Sequence, residues 1–273
     1  MRVQVNGIGL EAQVSGEGPA VVLVHGFPDT HALWRAQVAA LNAAGYRTVT
    51  FDLRGFGASD RPAAVEDYGM AQHIGDLAGV LDHFGVTRAH VVGHDWGAAI
   101  AVAFAAFLPD RVHSLTLLSV GHPAAFAHGG MAQREKSWYM LAFQFPGLAE
   151  RWLAQDDFRA VREWAAHPEE DEVIARLRDP EALTSALAVY RAVLPPEALL
   201  LPSPAMPRLQ VPTMGVWSSG DRFLTEAQMT ATGEYVDAPW RYERVEKAGH
   251  WMQLEAPEEV NALLLDFLGD DAA

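Results

Sequence analysis

A short apolar run that recurs through the first half of the chain, each time followed by a stretch of helical periodicity, restricts the fold more than any other feature. Ala20-Val21-Val22-Leu23-Val24 has no polar residue to turn toward water, so it reads as a strand covered on both faces, as strands of parallel sheets are. Tyr46 to Phe51, Ala89 to Val92 and Val112 to Leu118 repeat the pattern. Segments near 31–44, 70–84 and 97–107 supply helical spacing between them. Strand and helix therefore alternate, which predicts an α/β architecture with a mostly parallel sheet flanked by helices. Ahead of the first run, Val3 to Val5 and Leu10 to Val14 alternate apolar with polar residues and stop at the Gly16-Glu17-Gly18-Pro19 turn. That is the pattern of an antiparallel hairpin leading into the sheet.

After Val120 the alternation stops for roughly 85 residues, far too long for an ordinary crossover. The stretch holds helical, Trp-rich pieces such as Glu135 to Phe145 and a Pro-studded return from Pro195 to Pro207. Strand character resumes at Thr213 to Trp217 and near Arg241 to Val245, and an amphipathic helix runs through Val260 to Leu268. The expected organisation is a core domain made of residues 1–121 and 208–273, with a helical lid of residues 122–207 inserted after the sixth strand. Within that lid, Trp152 and Trp164 read first as packing residues.

The bulk properties narrow the partners. At 273 residues, half of them apolar, the chain can bury the core of one catalytic domain with a large insertion. A formal charge of −15, with no run of Lys or Arg, makes nucleic acid and anionic membrane surfaces unfavourable partners, and a small neutral substrate fits better. The stretch MRVQVNGIGL lacks a basic segment followed by an apolar one, and no run of about 18 apolar residues occurs, so a cytoplasmic location is expected. Without cysteine there is no disulfide framework and no thiolate nucleophile, and the eleven histidines show no HExxH or comparable spacing. No metal and no cofactor are expected. A monomer and a homodimer are equally compatible with the sequence.

The chemistry concentrates where His90-Val91-Val92 runs into Gly93-His94-Asp95-Trp96-Gly97 and then the small-residue stretch Ala98-Ala99-Ile100-Ala101. Strand, sharp turn and helix in that order form the context of a nucleophile elbow, in which the glycines let the turn pinch and the middle side chain stands exposed. Asp95 occupies that position; a helix N-cap is the plainer role for an aspartate there. Two further residues complete the chain order nucleophile, acid, histidine: Asp221, just past one predicted strand, and His250, on the loop before the last helix. Asp221 would hold the histidine's tautomer and stabilise its imidazolium. The alternative acid position, Ser119-Val120-Gly121-His122-Pro123, offers no carboxylate. Upstream, His25-Gly26-Phe27-Pro28 follows a buried strand and can turn the Phe27 N–H back toward the elbow, where with the Trp96 N–H it would form an oxyanion hole. One such donor is worth about 3 kcal/mol in a transition state. A cis Phe27-Pro28 bond is expected in that turn. The Asp52 to Asp60 loop reads as loop-shaping structure. A carboxylate nucleophile needs no base to attack an sp³ carbon and would form an alkyl ester, leaving His250 free to activate the water that hydrolyses it. Epoxide opening and carbon–halogen cleavage both suit such a site.

The segments His25-Gly26-Phe27-Pro28, Gly93-His94-Asp95-Trp96-Gly97 and Gly249-His250-Trp251-Met252-Gln253-Leu254-Glu255 resemble those of the α/β-hydrolase-fold epoxide hydrolases, and the resemblance covers essentially the whole chain. It implies a small apolar epoxide and water as substrates. It also implies two lid tyrosines that bind the epoxide oxygen and supply its proton: Tyr139, in Trp138-Tyr139-Met140-Leu141-Ala142-Phe143-Gln144-Phe145-Pro146-Gly147, and Tyr190, in Val189-Tyr190-Arg191. Phe27, Pro28, Trp96, Trp138 and Trp251 are the substrate contacts expected with them. The related haloalkane dehalogenases share the Asp-Trp-Gly step but usually place Asn where Phe27 stands. Fluoroacetate dehalogenases share His-Gly-Phe-Pro but carry arginine after the nucleophile, where this chain has Trp96. A non-catalytic receptor built on the same fold is the alternative of another class, and the intact trio of Asp95, Asp221 and His250 argues against it. Residues about 155 to 185 match least, and substrate range is expected to be set there.

Overall fold

A computed structural model of the chain describes residues 1–201 and 206–270. Its centre is one eight-stranded sheet: β1 (Arg2–Val5), β2 (Ile8–Ser15), β3 (Ala20–Val24), β4 (Arg47–Phe51), β5 (Ala89–His94), β6 (Val112–Leu118), β7 (Thr213–Ser218) and β8 (Trp240–Val245). They lie in the order β1-β2-β4-β3-β5-β6-β7-β8. β1 pairs antiparallel with β2, and β2 antiparallel with β4; every pairing from β4 to β8 is parallel. The opening hairpin turns at Asn6 and Gly7, both at positive φ, the signature of a tight two-residue β-turn. β5 and β7 are buried along their whole length, which is why their sequences carry no polar alternation.

Helices α1 (Arg35–Ala43), α2 (Met70–His83) and α3 (Trp96–Phe107) follow the strands as the periodicity predicts. α3 is almost wholly buried, and its small residues let it sit close to the sheet. A Cβ on Gly97 would lie 1.9 Å from the Val24 carbonyl oxygen, and one on Gly93 would lie 2.4 Å from the Gly97 carbonyl. Between β6 and β7 come α4 (Pro123–Ala127), α5 (Gly130–Lys136), α6 (Trp138–Ala142), α7 (Leu148–Ala165), α8 (Glu170–Leu177), α9 (Pro180–Val193) and α10 (Pro196–Leu200). After β7 come α11 (Glu226–Thr230), α12 (Met252–Glu255) and α13 (Pro257–Asp270). The Glu135 to Phe145 stretch is two short helices rather than one, because Ser137 leaves helical geometry and its backbone N–H is shared between the Gln133 and Arg134 carbonyls. The end of the return from Pro195 to Pro207 falls partly outside the described residues, at 202–205.

α7 is interrupted at residues 155–158, where Asp156, Asp157 and Phe158 all have left-handed φ, and Ala166 at its C-terminal end is left-handed as well. α9 starts cleanly: Asp179 accepts the Glu181 N–H at 3.0 Å, Pro180 sits in the first turn, and a buried face runs on to Tyr190. The Asp52 to Asp60 loop is tied up by its own polar groups, with Asp52 accepting from the His31 backbone and ring and from the Ala58 N–H. Arg54 and Asp76 form a fully buried bidentate ion pair beneath it. No helix among the described residues is long and apolar enough to cross a membrane.

Candidate active site

Asp95 is the hinge between β5 and α3, and its backbone (φ 53, ψ −122) lies in a region that costs a non-glycine residue about 1–3 kcal/mol. The strand and the buried helix on either side hold it there, so the side chain is presented rather than folded back as a cap; it makes no capping bond to α3. Its Oδ1 accepts the Phe27 N–H at 2.8 Å, from the turn that contains the cis Phe27-Pro28 bond. Gly26 explains the access. A Cβ there would lie 2.4 Å from Asp95 Oδ1 and 2.7 Å from the Trp96 backbone nitrogen, so both face the same small space.

The other oxygen faces the histidine. His250 Nε2 lies 3.6 Å from Asp95 Oδ2, and His250 Nδ1 lies 3.0 Å from Asp221 Oδ2. Since that carboxylate can only accept, Nδ1 carries the hydrogen and Nε2 is the nitrogen turned to Asp95. Asp221 is itself fixed, its Oδ1 accepting the Phe223 and Leu224 N–H groups at 2.7 and 2.9 Å. Burial pushes His250 down, but the charges and hydrogen bonds of Asp221 and then Asp95 outweigh it, and its pKa is pushed up to about 10. Asp221 is held low despite its burial by the charge and hydrogen bond of His250 and by those two backbone donors.

The roof of the site comes from α6 and α9. The rings of Tyr139 and Tyr190 are 6.1 Å apart, and Tyr190 packs on Phe27 at 5.5 Å and on Trp96 at 5.0 Å. Both phenols are buried, and burial first, then the negative charge of Asp95, lifts both pKa values well above the usual range. A side-chain hydrogen bond links the two. Such phenols keep their protons until a strong base forms beside them.

A small cavity of about 10 Å³ lies between these groups, lined by Phe27, Pro28, Asp95, Tyr139, Tyr190, His250 and Trp251 together with Trp164, Ala165 and Phe223. Nine of the ten residues that the sequence singles out converge on it, on its oxyanion space or, in the case of Asp221, on the histidine behind it. The exception is Trp138, which is 47 % exposed and lines a separate outer cavity. Its placement has a simple cause: consecutive helical side chains point about 100° apart, so with Tyr139 turned inward its neighbour must turn out.

Three neighbours carried no sequence signal of their own. His94 donates through Nε2 to the His250 carbonyl at 2.9 Å, and burial, then the His250 charge, pushes it down to about 4. Buried Asp29 accepts from Trp251 Nε1 at 2.9 Å and from His167 Nε2 at 3.1 Å. The Phe223 ring stands 5.0 Å from that of His250. Only the position of Asp29, directly after His-Gly-Phe-Pro, could have drawn attention to any of them.

The family model for the α/β hydrolase fold matches residues 19–168. Epoxide hydrolase 3 of Xenopus tropicalis is 36% identical over 99% of this chain and 77% of its own length. Epoxide hydrolase A of Mycobacterium tuberculosis is 33% identical over 97% of the chain and 96% of its own. Among solved structures, an epoxide hydrolase of Bacillus megaterium in complex with an inhibitor superposes with a TM-score of 0.88 at 28% identity, covering 98% of this chain and 100% of that one.

Proposed function

From the premise that the chain belongs to the epoxide hydrolases of the α/β-hydrolase fold, we propose that it converts an epoxide and water to a vicinal diol through an ester on Asp95. The observation that carries the assignment of roles is the division of labour at the Asp95 carboxylate: Oδ1 is engaged by the Phe27 N–H, while Oδ2 is turned toward His250.

Oδ2 attacks one oxirane carbon, the carbon–oxygen bond breaks, and the alkoxide takes its proton from Tyr139 or Tyr190. Esterification removes the charge of Asp95, one of the groups that raise His250, and leaves Asp221 to orient the ring. The ring then gives its proton to the phenolate left on the tyrosine, which restores the phenol and frees Nε2 as a base. His250 Nε2 takes a proton from water, the hydroxide adds to the ester carbon, and the charge on Oδ1 is received by the N–H groups of Phe27 and Trp96. Collapse breaks the bond to Oδ2, which leaves with the diol and takes the proton from His250. The second proton of the water, left on the Asp95 carboxyl, returns to His250 and restores the starting pair. Phe27, Pro28, Trp96 and Trp251 form the apolar walls around the oxirane. The lid of residues 122–207 acts as the roof over the core of residues 1–121 and 208–273. A small apolar epoxide and water are the partners this reading requires.

In His250→Gln, alkylation should proceed and ester hydrolysis should stop. Intact-mass measurement after mixing with 1,2-epoxybutane should find the protein heavier by one substrate, on the peptide that contains Asp95. Rapid diol formation without an adduct would sink the covalent route.

A further inference from the structure

We propose that Trp164 is the gate and the main specificity-determining residue of this enzyme, and that the preferred substrates are epoxides with one long or flat substituent on a single oxirane carbon. The inference rests on the epoxide-hydrolase reading and concerns where the rest of the substrate lies.

The inner cavity holds about 10 Å³, room for roughly one water and for no substituent. Beside it lies an outer cleft, open to solvent, with about 580 Å³ of space, enough for a substituent of a small molecule. Trp164 and Phe223 line both, and their rings meet at 5.3 Å, so this pair is the wall between the two spaces. Of the ten residues around the inner cavity, nine are buried, and Trp164 alone is half-buried. Phe223 is the fixed half: its backbone is held by Asp221 and by Gln133 at 2.8 Å, and its buried ring packs against those of Tyr139, His250 and Trp251. The mobile half of the wall is therefore Trp164.

Its backbone is built for that. Residues 159–165, which carry Trp164, form a short helical piece between left-handed Asp156, Asp157 and Phe158 on one side and left-handed Ala166 on the other. Non-glycine residues in that region are strained, and such positions are where a hinge absorbs changes in φ and ψ. The segments on the other side are fastened to the acid-bearing loop: Lys136 Nζ donates to the Asp221 carbonyl at 2.6 Å, and Gln133 Oε1 accepts the Thr225 N–H at 2.9 Å. When Trp164 swings, one slot opens, flanked by the Phe223 ring, and it leads to an outer cavity edged by Glu135, Lys136, Glu163 and Arg222. One substituent can leave through that slot and end among polar groups. A second substituent, on the other oxirane carbon, meets Phe27, Tyr190 and Trp251, all buried.

The test compares wild type, Trp164→Phe and Trp164→Ala on 1,2-epoxybutane, styrene oxide and trans-stilbene oxide. The readout is the ratio of kcat/KM values between substrates, which does not depend on the fraction of protein folded. Wild type should favour styrene oxide over trans-stilbene oxide by more than tenfold. Trp164→Ala should raise the styrene oxide to epoxybutane ratio at least tenfold, with Trp164→Phe in between, and should leave trans-stilbene oxide a poor substrate, because the walls that meet its second ring are untouched. Ratios within twofold of wild type in both variants, with epoxybutane still turned over, would overturn the gate and leave the reaction assignment intact. Failure of wild type to turn over any of the three epoxides would overturn the reading on which the gate rests.

Discussion

In the proposed mechanism the residues around Asp95 divide the reaction into two steps, and the first makes the sharper demand on a single side chain. Opening an epoxide expels a poor alkoxide, so a positioned acid should matter in the first step by about 10²- to 10⁴-fold. Tyr139 and Tyr190 are the acids that the site offers, both kept protonated by burial and by the charge of Asp95. Because either phenol can serve when the other is removed, Tyr139→Phe and Tyr190→Phe should each slow alkylation moderately. The double variant should be nearly inactive, while the hydrolytic step by His250 stays close to wild type in the single variants. Single-turnover kinetics separate the two steps. An alkylation rate near wild type in the double variant would reduce both tyrosines to packing residues and reopen carbon–halogen cleavage, which needs no such proton.

At the scale of elements, the decisive contact is between α3 and β3. Gly97→Ala places a methyl 1.9 Å from the Val24 carbonyl, a backbone atom that cannot rotate away, so the helix must back off the sheet. A loss of about 1–3 kcal/mol, or more, is expected in urea unfolding, along with a displaced Asp95 and lost activity. Gly269→Ala meets nothing within 4 Å and should be neutral or mildly stabilising. This same contact made the core legible in the sequence: a helix can lie this close to a strand only if small residues face it, as they do after Asp95, and a strand so covered must be apolar on both faces, as Ala20 to Val24 is. That Asp95, Asp221 and His250 meet was readable because each follows a strand end. The lid was less so. The break of α7 at residues 155–158 is made by Asp156, Asp157 and Phe158, none of which announces a left-handed backbone, and no Gly or Pro marks it. Trp138 and Trp164 look alike in the sequence, and only the direction of each helix face decides that one lines the outer cavity alone and the other walls the nucleophile's cavity.

For the molecule as a whole, the question is what holds the helical layer on the core. Pairs such as Arg35 with Glu169 and Arg61 with Asp179 are largely exposed, and each is worth about 0–1 kcal/mol. Asp29 is different, because it is buried and joins His167, just beyond residues 159–165, to Trp251, beside His250. The tautomer is fixed: His167 Nδ1 accepts the Glu169 N–H at 2.8 Å, so Nε2 is the donor to Asp29. Asp29→Asn keeps the shape but offers one acceptor oxygen where two donors converge, so one of them must face an NH₂ group. That should cost about 1–3 kcal/mol. The loss should appear locally first. Hydrogen exchange at residues 163–170 should rise well above that of β3 and β5, and turnover should fall as Trp251 loses its anchor. Burial raises the Asp29 pKa, but the contributions led by the His167 hydrogen bond more than offset it, leaving the carboxyl below its usual 3.8. Its contribution is therefore present above that value and is lost as pH falls through the lower, folded one. In wild type the same residues 163–170 should lose protection on acidification before the sheet does, and in Asp29→Asn that acid step should be absent. Uniform loss of protection across lid and sheet in both proteins would mean that Asp29 is not the latch.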